Sequence, residues 1–305
     1  MTDSATQTRP LQVSGEILAS RRVGAYHHLT LVAPGIAERA RPGHFVALAV
    51  GGERTGLILR RAFSIYQSRA TGVYGGTVDV VVGVHGAGTR WLAGQHPHTP
   101  VDVVGPLGKP FSLPRDGGAS ATLVGGGYGS APLFGLAEAL HKRGCRVDFV
   151  LGAASADRLF GALDAKRMAA TVAVTTVDGS TGTRGVVTDV LPELMARAGT
   201  DVVYACGPMG MLRAVSRLAA THGVPSQCAV EESMACGIGV CMTCVLPVVG
   251  DDGQTRMVRS CVEGPVFAGE RVRWDDVGTV PPETVGAPAA TGTGGQAVAT
   301  EGGVR

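Results

Sequence analysis

Over residues 11–114 short apolar runs alternate with turn residues, at 26–32, 45–50, 78–84 and 101–104. Such punctuation predicts β-strands of an antiparallel barrel or sandwich. Near Asp116-Gly117-Gly118 the pattern changes. A buried strand over 121–125 precedes a helix over 131–143 that puts Leu133, Leu136, Ala137 and Leu140 on one face. Then come a strand over 147–151, a helix over 157–168, a strand over 172–177, a helix over 186–197, a strand over 202–205 and a helix over 208–223. Alternating strands and helices predict a parallel, doubly wound sheet with crossover helices. The alternation stops after Pro225.

The expected organisation is therefore a β-barrel over 11–115, an α/β domain over 116–225 and a small cysteine-bearing module over 226–276. Residues 277–305 are rich in Gly, Ala, Thr and Val and carry no aromatic residue, which reads as a disordered tail.

Composition narrows the function classes. The chain has 305 residues, 45% of them hydrophobic, and a formal charge of +2. No basic stripe with interleaved aromatics exists, so no nucleic-acid partner is expected. No apolar run approaches membrane-spanning length and the leader lacks an apolar core, so neither a membrane span nor a secretion signal is expected. Seven cysteines, an odd number with four inside 26 residues, suit a reducing cytoplasm better than a disulfide framework.

Those four cysteines carry the clearest chemistry. Cys236, Cys241 and Cys244 follow C-x4-C-x2-C, and Cys261 comes sixteen residues later. This is the ligand order of a plant-type [2Fe–2S] cluster, which moves one electron at a time. Gly237 and Gly239 permit the sharp loop that three converging thiolates need. The alternative is a structural zinc site built from four thiolates, but zinc ribbons show two short C-x2-C knuckles and this chain has one. Cys145, Cys206 and Cys228 read as small buried residues.

In the barrel region, Arg61-Ala62-Phe63-Ser64 is an R-x-[YF]-S string of the kind that binds flavin. Arg61 would pair with the pyrophosphate, Phe63 lie against the ring system or ribityl chain, and Ser64 donate to the ring edge. Gly86, Gly88 and Thr89 lie before a short helix and would offer bare amides to a phosphate; a plain tight turn is the alternative. Gly105-Pro-Leu-Gly108 reads as the turn that closes the barrel.

Two glycine-rich strand ends face one crevice in the α/β region. The first carries Gly125, Gly126, Gly127 and Gly129; the second carries Cys206, Gly207 and Pro208. Strand-to-helix glycines let a dinucleotide approach a helix N-terminus, which points to NAD. Cys206 would approach the nicotinamide or simply fill the core. Asp157 would bind a ribose hydroxyl or cap a helix. Only Arg158 stands nearby to meet a 2′-phosphate, which favours NAD over NADP.

The strings Glu232-x-x-x-Cys236-Gly-x-Gly-x-Cys241-x-x-Cys244, Cys261-Val-Glu-Gly264-Pro-Val-Phe267, Leu59-Arg-Arg61 and Gly125-Gly-Gly127 together resemble one family over roughly residues 11–276. It is the electron-transfer subunit of type B dihydroorotate dehydrogenase, a branch of the ferredoxin–NADP reductase-like flavoproteins. Two positions depart from its common pattern: Arg61-Ala62-Phe63-Ser64 stands where Arg-Pro-x-Ser is usual, and Thr243 where a small residue is.

The resemblance implies an oxidoreductase subunit without an organic-substrate site of its own. An FMN-containing catalytic subunit would oxidise dihydroorotate, in a heterotetramer of two copies of each chain. Electrons would pass through the cluster and FAD to NAD+, in pyrimidine (UMP) synthesis. The length agrees, because a (β/α)8 barrel alone needs about 250 residues. Two rivals stay open: an NAD(P)H-dependent reductase serving an oxygenase, hydrogenase or ferredoxin, and a zinc-stabilised regulatory or assembly protein.

Overall fold

The computed structural model describes residues 9–52, 55–115 and 117–287. Six strands close into an antiparallel barrel: β1 (Leu11–Val23), β2 (Tyr26–Val32), β3 (Phe45–Leu48), β4 (Arg61–Arg69), β5 (Thr77–Gly83) and, after helix α1 (Ala87–Ala93), β6 (Pro100–Leu107). Their order around the barrel is β1-β2-β5-β4-β3-β6. Ile17, Leu29, Leu31, Leu48, Val80, Val82 and Val103 are fully buried inside it, each worth about 1.5–3 kcal/mol in transfer terms.

The Gly105–Gly108 string is not the expected turn. Gly105 pairs with Leu11 of β1 inside strand β6, and a Cβ there would come 2.8 Å from Val46 Cγ1, so the glycine serves barrel packing. Only Gly108, at φ +79°, turns the chain.

The α/β region begins with β7 (Ser120–Gly126), α2 (Ala131–His141), β8 (Arg146–Ala153), α3 (Ala162–Met168) and β9 (Thr171–Thr176). It continues through β10 (Thr183–Arg184), α4 (Val187–Ala198), β11 (Val202–Cys206), α5 (Met209–Thr221) and β12 (Ser226–Ala229). A hairpin, β13 (Val245–Val249) and β14 (Thr255–Arg259), and a last strand, β15 (Val266–Ala268), follow. The sheet order is β10-β9-β8-β7-β11-β12-β15, parallel except for β15.

Three expectations change. The helix expected from 157 starts at Ala162, after a single 3-10 turn at Ala156–Arg158. Gly161, at φ +75°, breaks the run, and any Cβ there would strike the Phe134 ring. The α/β sheet does not stop at 225, since β12 and β15 from the cysteine-bearing segment extend it. Finally, residues 277–287 are not a loose tail. Thr284 is buried, Val285 N donates to Thr255 O at 2.9 Å, and Glu283 pairs with Arg273. The rest of the expected tail, 288–305, lies outside the described residues. No helix among the described residues is long and apolar enough to cross a membrane.

Candidate functional site

The four cysteines of the C-terminal module come together as two pairs. The Cys241 amide donates to Cys236 Sγ at 3.5 Å, and the Cys261 amide donates to Cys244 Sγ at 3.4 Å. Among the described residues no three His, Cys, Asp or Glu side chains converge on one point suited to a single metal ion. Two pairs of thiols suit a two-iron core, with two thiolates per iron.

Loop 236–244 achieves this through its backbone. Gly237 and Gly239 sit at φ +72° and +84°, and Met242 at +59°. Ile238 and Val240 amides also aim at Cys236 Sγ, at 3.5 and 3.4 Å. Burial pushes the Cys236 thiol up, but the amides of Cys241, Ile238 and Val240 outweigh it and leave its pKa below the usual value. Thr243, through its hydroxyl at 3.2 Å and its amide, draws Cys241 down to about 6. Burial, then the neighbouring Cys244, lifts Cys261 to about 12. Cys241 is thus exposed and Cys236 half-buried, both with lowered pKa, while Cys244 and Cys261 are closed off at 2% exposure.

Arg259 and Glu263, which the sequence reading passed over, brace the loop. Arg259 Nη1 donates to Gly239 O at 2.9 Å and Nη2 to Glu263 Oε1 at 2.7 Å. The Gly264-Pro265 string fixes the module to the barrel. Lys109 N donates to Gly264 O at 2.5 Å, and a Cβ on Gly108 would stand 2.5 Å from Pro265 Cδ.

A cavity of about 460 Å³ lies between barrel, α/β sheet and cysteine module. Arg61, Ala62, Phe63, Ser64 and Thr89 line it, as do Cys206, Gly207, Glu231 and Met234. Alternation along β4 leaves Ala62 and Ser64 exposed, while Phe63 is buried and joins the barrel core. Phe63 thus packs on the barrel core and also lines the cavity, on the same face of β4 as Arg61, because successive strand side chains point to opposite faces. Gly86 and Gly88 frame the start of α1 nearby. The amides of His85 and Gly86 are not bare, since both donate to Thr89 Oγ1, at 2.9 and 3.1 Å. An Arg guanidinium, exposed hydroxyl and amide groups and an apolar wall fit a flavin dinucleotide.

A second cavity of about 470 Å³ opens at the carboxyl ends of β7, β8, β9 and β11. Gly126, Gly127, Gly129 and Pro208 line it, together with Gly152, Arg158, Thr175 and Met211. The two glycine turns interlock: a Cβ on Gly129 would come 2.8 Å from Gly207 Cα, and one on Gly126 2.8 Å from Pro208 Cδ. Gly125 lines neither cavity; a Cβ there would meet that of Ser130, so it serves strand-to-helix packing. Cys206 and Gly207 belong to the first cavity and Pro208 to the second. Cys206 is almost wholly buried, and burial pushes its thiol pKa up. Asp157 does not line the crevice; its carboxylate meets the Ser155 hydroxyl and its carbonyl accepts from Ala25 N. A site at the strand ends, lined by glycines and one Arg, fits a nicotinamide dinucleotide.

Tyr128, Gly129 and Glu231 line both cavities. Tyr128 Oη donates to Glu231 Oε1 at 3.0 Å. Burial and then the Glu231 carboxylate push the phenol pKa well up, which keeps the donor proton in place. Sequence reasoning missed both residues, although Tyr128 lies inside the quoted glycine string and Glu231 heads the cysteine segment.

Comparison with known proteins agrees with this geometry. Residues 231–273 match the family model described as the iron-sulfur cluster binding domain of dihydroorotate dehydrogenase B. Residues 123–217 match the oxidoreductase NAD-binding domain. The dihydroorotate dehydrogenase B (NAD(+)) electron transfer subunit of Desulforamulus reducens is 36% identical over 250 residues, covering 82% of this chain and 93% of that one. The subunit of the same name from Bacillus caldolyticus is 39% identical, covering 84% and 96%. A chain of a solved NADH-dependent reduced ferredoxin-NADP oxidoreductase superposes with TM-score 0.75 at 31% identity, covering 87% of this chain and 91% of that one. With fold, paired thiols and two adjoining cavities in agreement, the chain belongs to the family of dihydroorotate dehydrogenase B electron transfer subunits.

Proposed function

We propose that this chain passes electrons from the FMN of a dihydroorotate dehydrogenase catalytic subunit to NAD+, in pyrimidine (UMP) biosynthesis. Cys236, Cys241, Cys244 and Cys261 would hold a [2Fe–2S] cluster. Arg61, Ala62, Phe63, Ser64, Gly86, Gly88 and Thr89 would hold FAD. Gly126, Gly127, Gly129, Gly207 and Pro208 would receive NAD. The cluster supplies one-electron transfer and the flavin couples it to the two-electron chemistry of NAD+.

One observation carries the reading. Phe45 belongs to one buried apolar cluster with Cys244 and Cys261, and it also lines the cavity of Arg61 and Ser64. Met234, which lines that cavity too, packs on the same cluster. Packed side chains thus join the inner thiols to the flavin-side cavity. The two large cavities would be taken by the two dinucleotides, so a second chain would supply the dihydroorotate site. A heterotetramer of two copies of each chain fits the reading, and seven unpaired thiols suit a reducing cytoplasm.

The test is co-purification followed by anaerobic titration with dihydroorotate. Recovery with an orotate-forming FMN protein, and NADH formation that requires this chain, would support the reading. A second reading, a reductase exchanging electrons with ferredoxin, is favoured by the 31% identity to the ferredoxin-NADP oxidoreductase chain. Recovery with such a partner and no orotate formation would select it.

A further inference from the structure

The nucleotide-side and flavin-side cavities adjoin and share part of their walls. Tyr128, Gly129 and Glu231 stand between them, common to both walls. Hydride transfer needs its two reacting atoms within about 3–3.5 Å. Tyr128 lies on the wall that both cavities share, so its ring stands where a nicotinamide would pass to reach the flavin-side cavity.

The local structure suits a displacement of that ring. Tyr128 sits in a single 3-10 turn, Gly127–Ser130, flanked by Gly127 at φ +55° and by Gly129. Its ring leans against Tyr26 and His85 at centroid distances of 5.3 and 5.8 Å, tilted rather than stacked on either. Its hydroxyl is tied to Glu231, an exposed residue at the head of the cysteine-bearing segment. The tie therefore bridges the glycine turn of the nucleotide site to the segment that leads to Cys236.

We propose that Tyr128 is a positioning residue that gates the nicotinamide, latched shut by its hydrogen bond to Glu231. This rests on the assignment of the second cavity to NAD. A ligand that binds only the open state loses apparent affinity in proportion to the closed fraction. Weakening the latch must then tighten NAD+ binding while leaving a ligand without nicotinamide unaffected.

The test uses the full chain loaded with FAD and cluster, titrated calorimetrically with NAD+ and with ADP-ribose. Tyr128→Phe keeps the ring and removes the latch; its NAD+ Kd should fall about three- to tenfold, the range of one ordinary, solvent-exposed hydrogen bond. Its ADP-ribose Kd should stay unchanged. Glu231→Gln, which leaves a weaker acceptor, should shift NAD+ in the same direction by less. An NAD+ Kd that is unchanged or raised in Tyr128→Phe, with ADP-ribose still bound, overturns the gate alone. Equal shifts for both ligands also overturn it, since they mark a general structural effect. Failure of ADP-ribose to bind the unaltered protein overturns the cavity assignment and the gate with it.

Discussion

A Cβ on Gly88 would stand 2.9 Å from Arg61 Nε and 3.1 Å from Val50 Cγ2. The bare glycine at the start of α1 is what lets the guanidinium lie along the flavin-side cavity. Two strings that are 25 residues apart in the chain, Arg61–Ser64 and Gly86–Thr89, thereby form one wall. Arg61→Ala should weaken FAD retention by about 2 kcal/mol, roughly thirtyfold in Kd. Gly88→Val should act in the same direction by displacing the arginine. Flavin content after gel filtration and a fluorescence titration with FAD check both.

Cys241→Ser should lose iron and acid-labile sulfide, because Cys241 is one of the paired outer thiols. Flavin binding and the NADH-dependent reduction of an artificial dye should largely persist, since the cavities for both lie elsewhere. Loss of dye reduction while FAD stays bound would mean that the proposed order of carriers is wrong.

Gly239 and Met242 should respond in opposite senses. A Cβ on Gly239 would come 2.5 Å from Val262 Cγ2, at a φ of +84°, so Gly239→Ala should spoil loop closure and cluster content. Met242 already occupies the left-handed region as a non-glycine residue, at a cost of about 1–2 kcal/mol. Met242→Gly should retain the cluster and raise stability by about 1 kcal/mol. Iron content and urea unfolding of the loaded protein distinguish the two variants.

His44 makes stability depend on pH. Burial, and then the Arg41 charge, depress its pKa from 6.5 to about 4. Its Nδ1 accepts the Arg41 amide at 3.0 Å, which favours the neutral ring. A depressed histidine contributes fully above its unfolded pKa, and the contribution is lost as pH falls from 6.5 towards 4, where the unfolded chain binds the extra proton. The loss approaches roughly 3 kcal/mol. Urea unfolding at about pH 7 and about pH 4.5 should show this slope in the native chain and its reduction in His44→Gln.

The cysteine spacing was legible because cluster ligation dictates both residue type and interval, and the strand–helix alternation because burial imposes its period. What stayed hidden depends on three-dimensional contact. Nothing local says that Gly161 must clear the Phe134 ring, yet this delays α3. Strand alternation puts Phe63 on the face of Arg61, but only the fold shows that it packs on the barrel core while also lining the cavity. Tyr128 and Glu231 lie 103 positions apart, and only folding makes them neighbours. Low-complexity composition implied a loose end at 277–287, whereas one backbone hydrogen bond from Val285 and the burial of Thr284 anchor it.

Strand β12 pairs with β11 on one side and β15 on the other, so the iron-bearing segment supplies the last two strands of the nucleotide sheet. It is therefore no detachable cartridge. A chain cut after Pro225 would bare the unpaired edge of β11, an invitation to aggregation. Grafting the segment alone onto another reductase would carry over its thiols without the surface that shapes them.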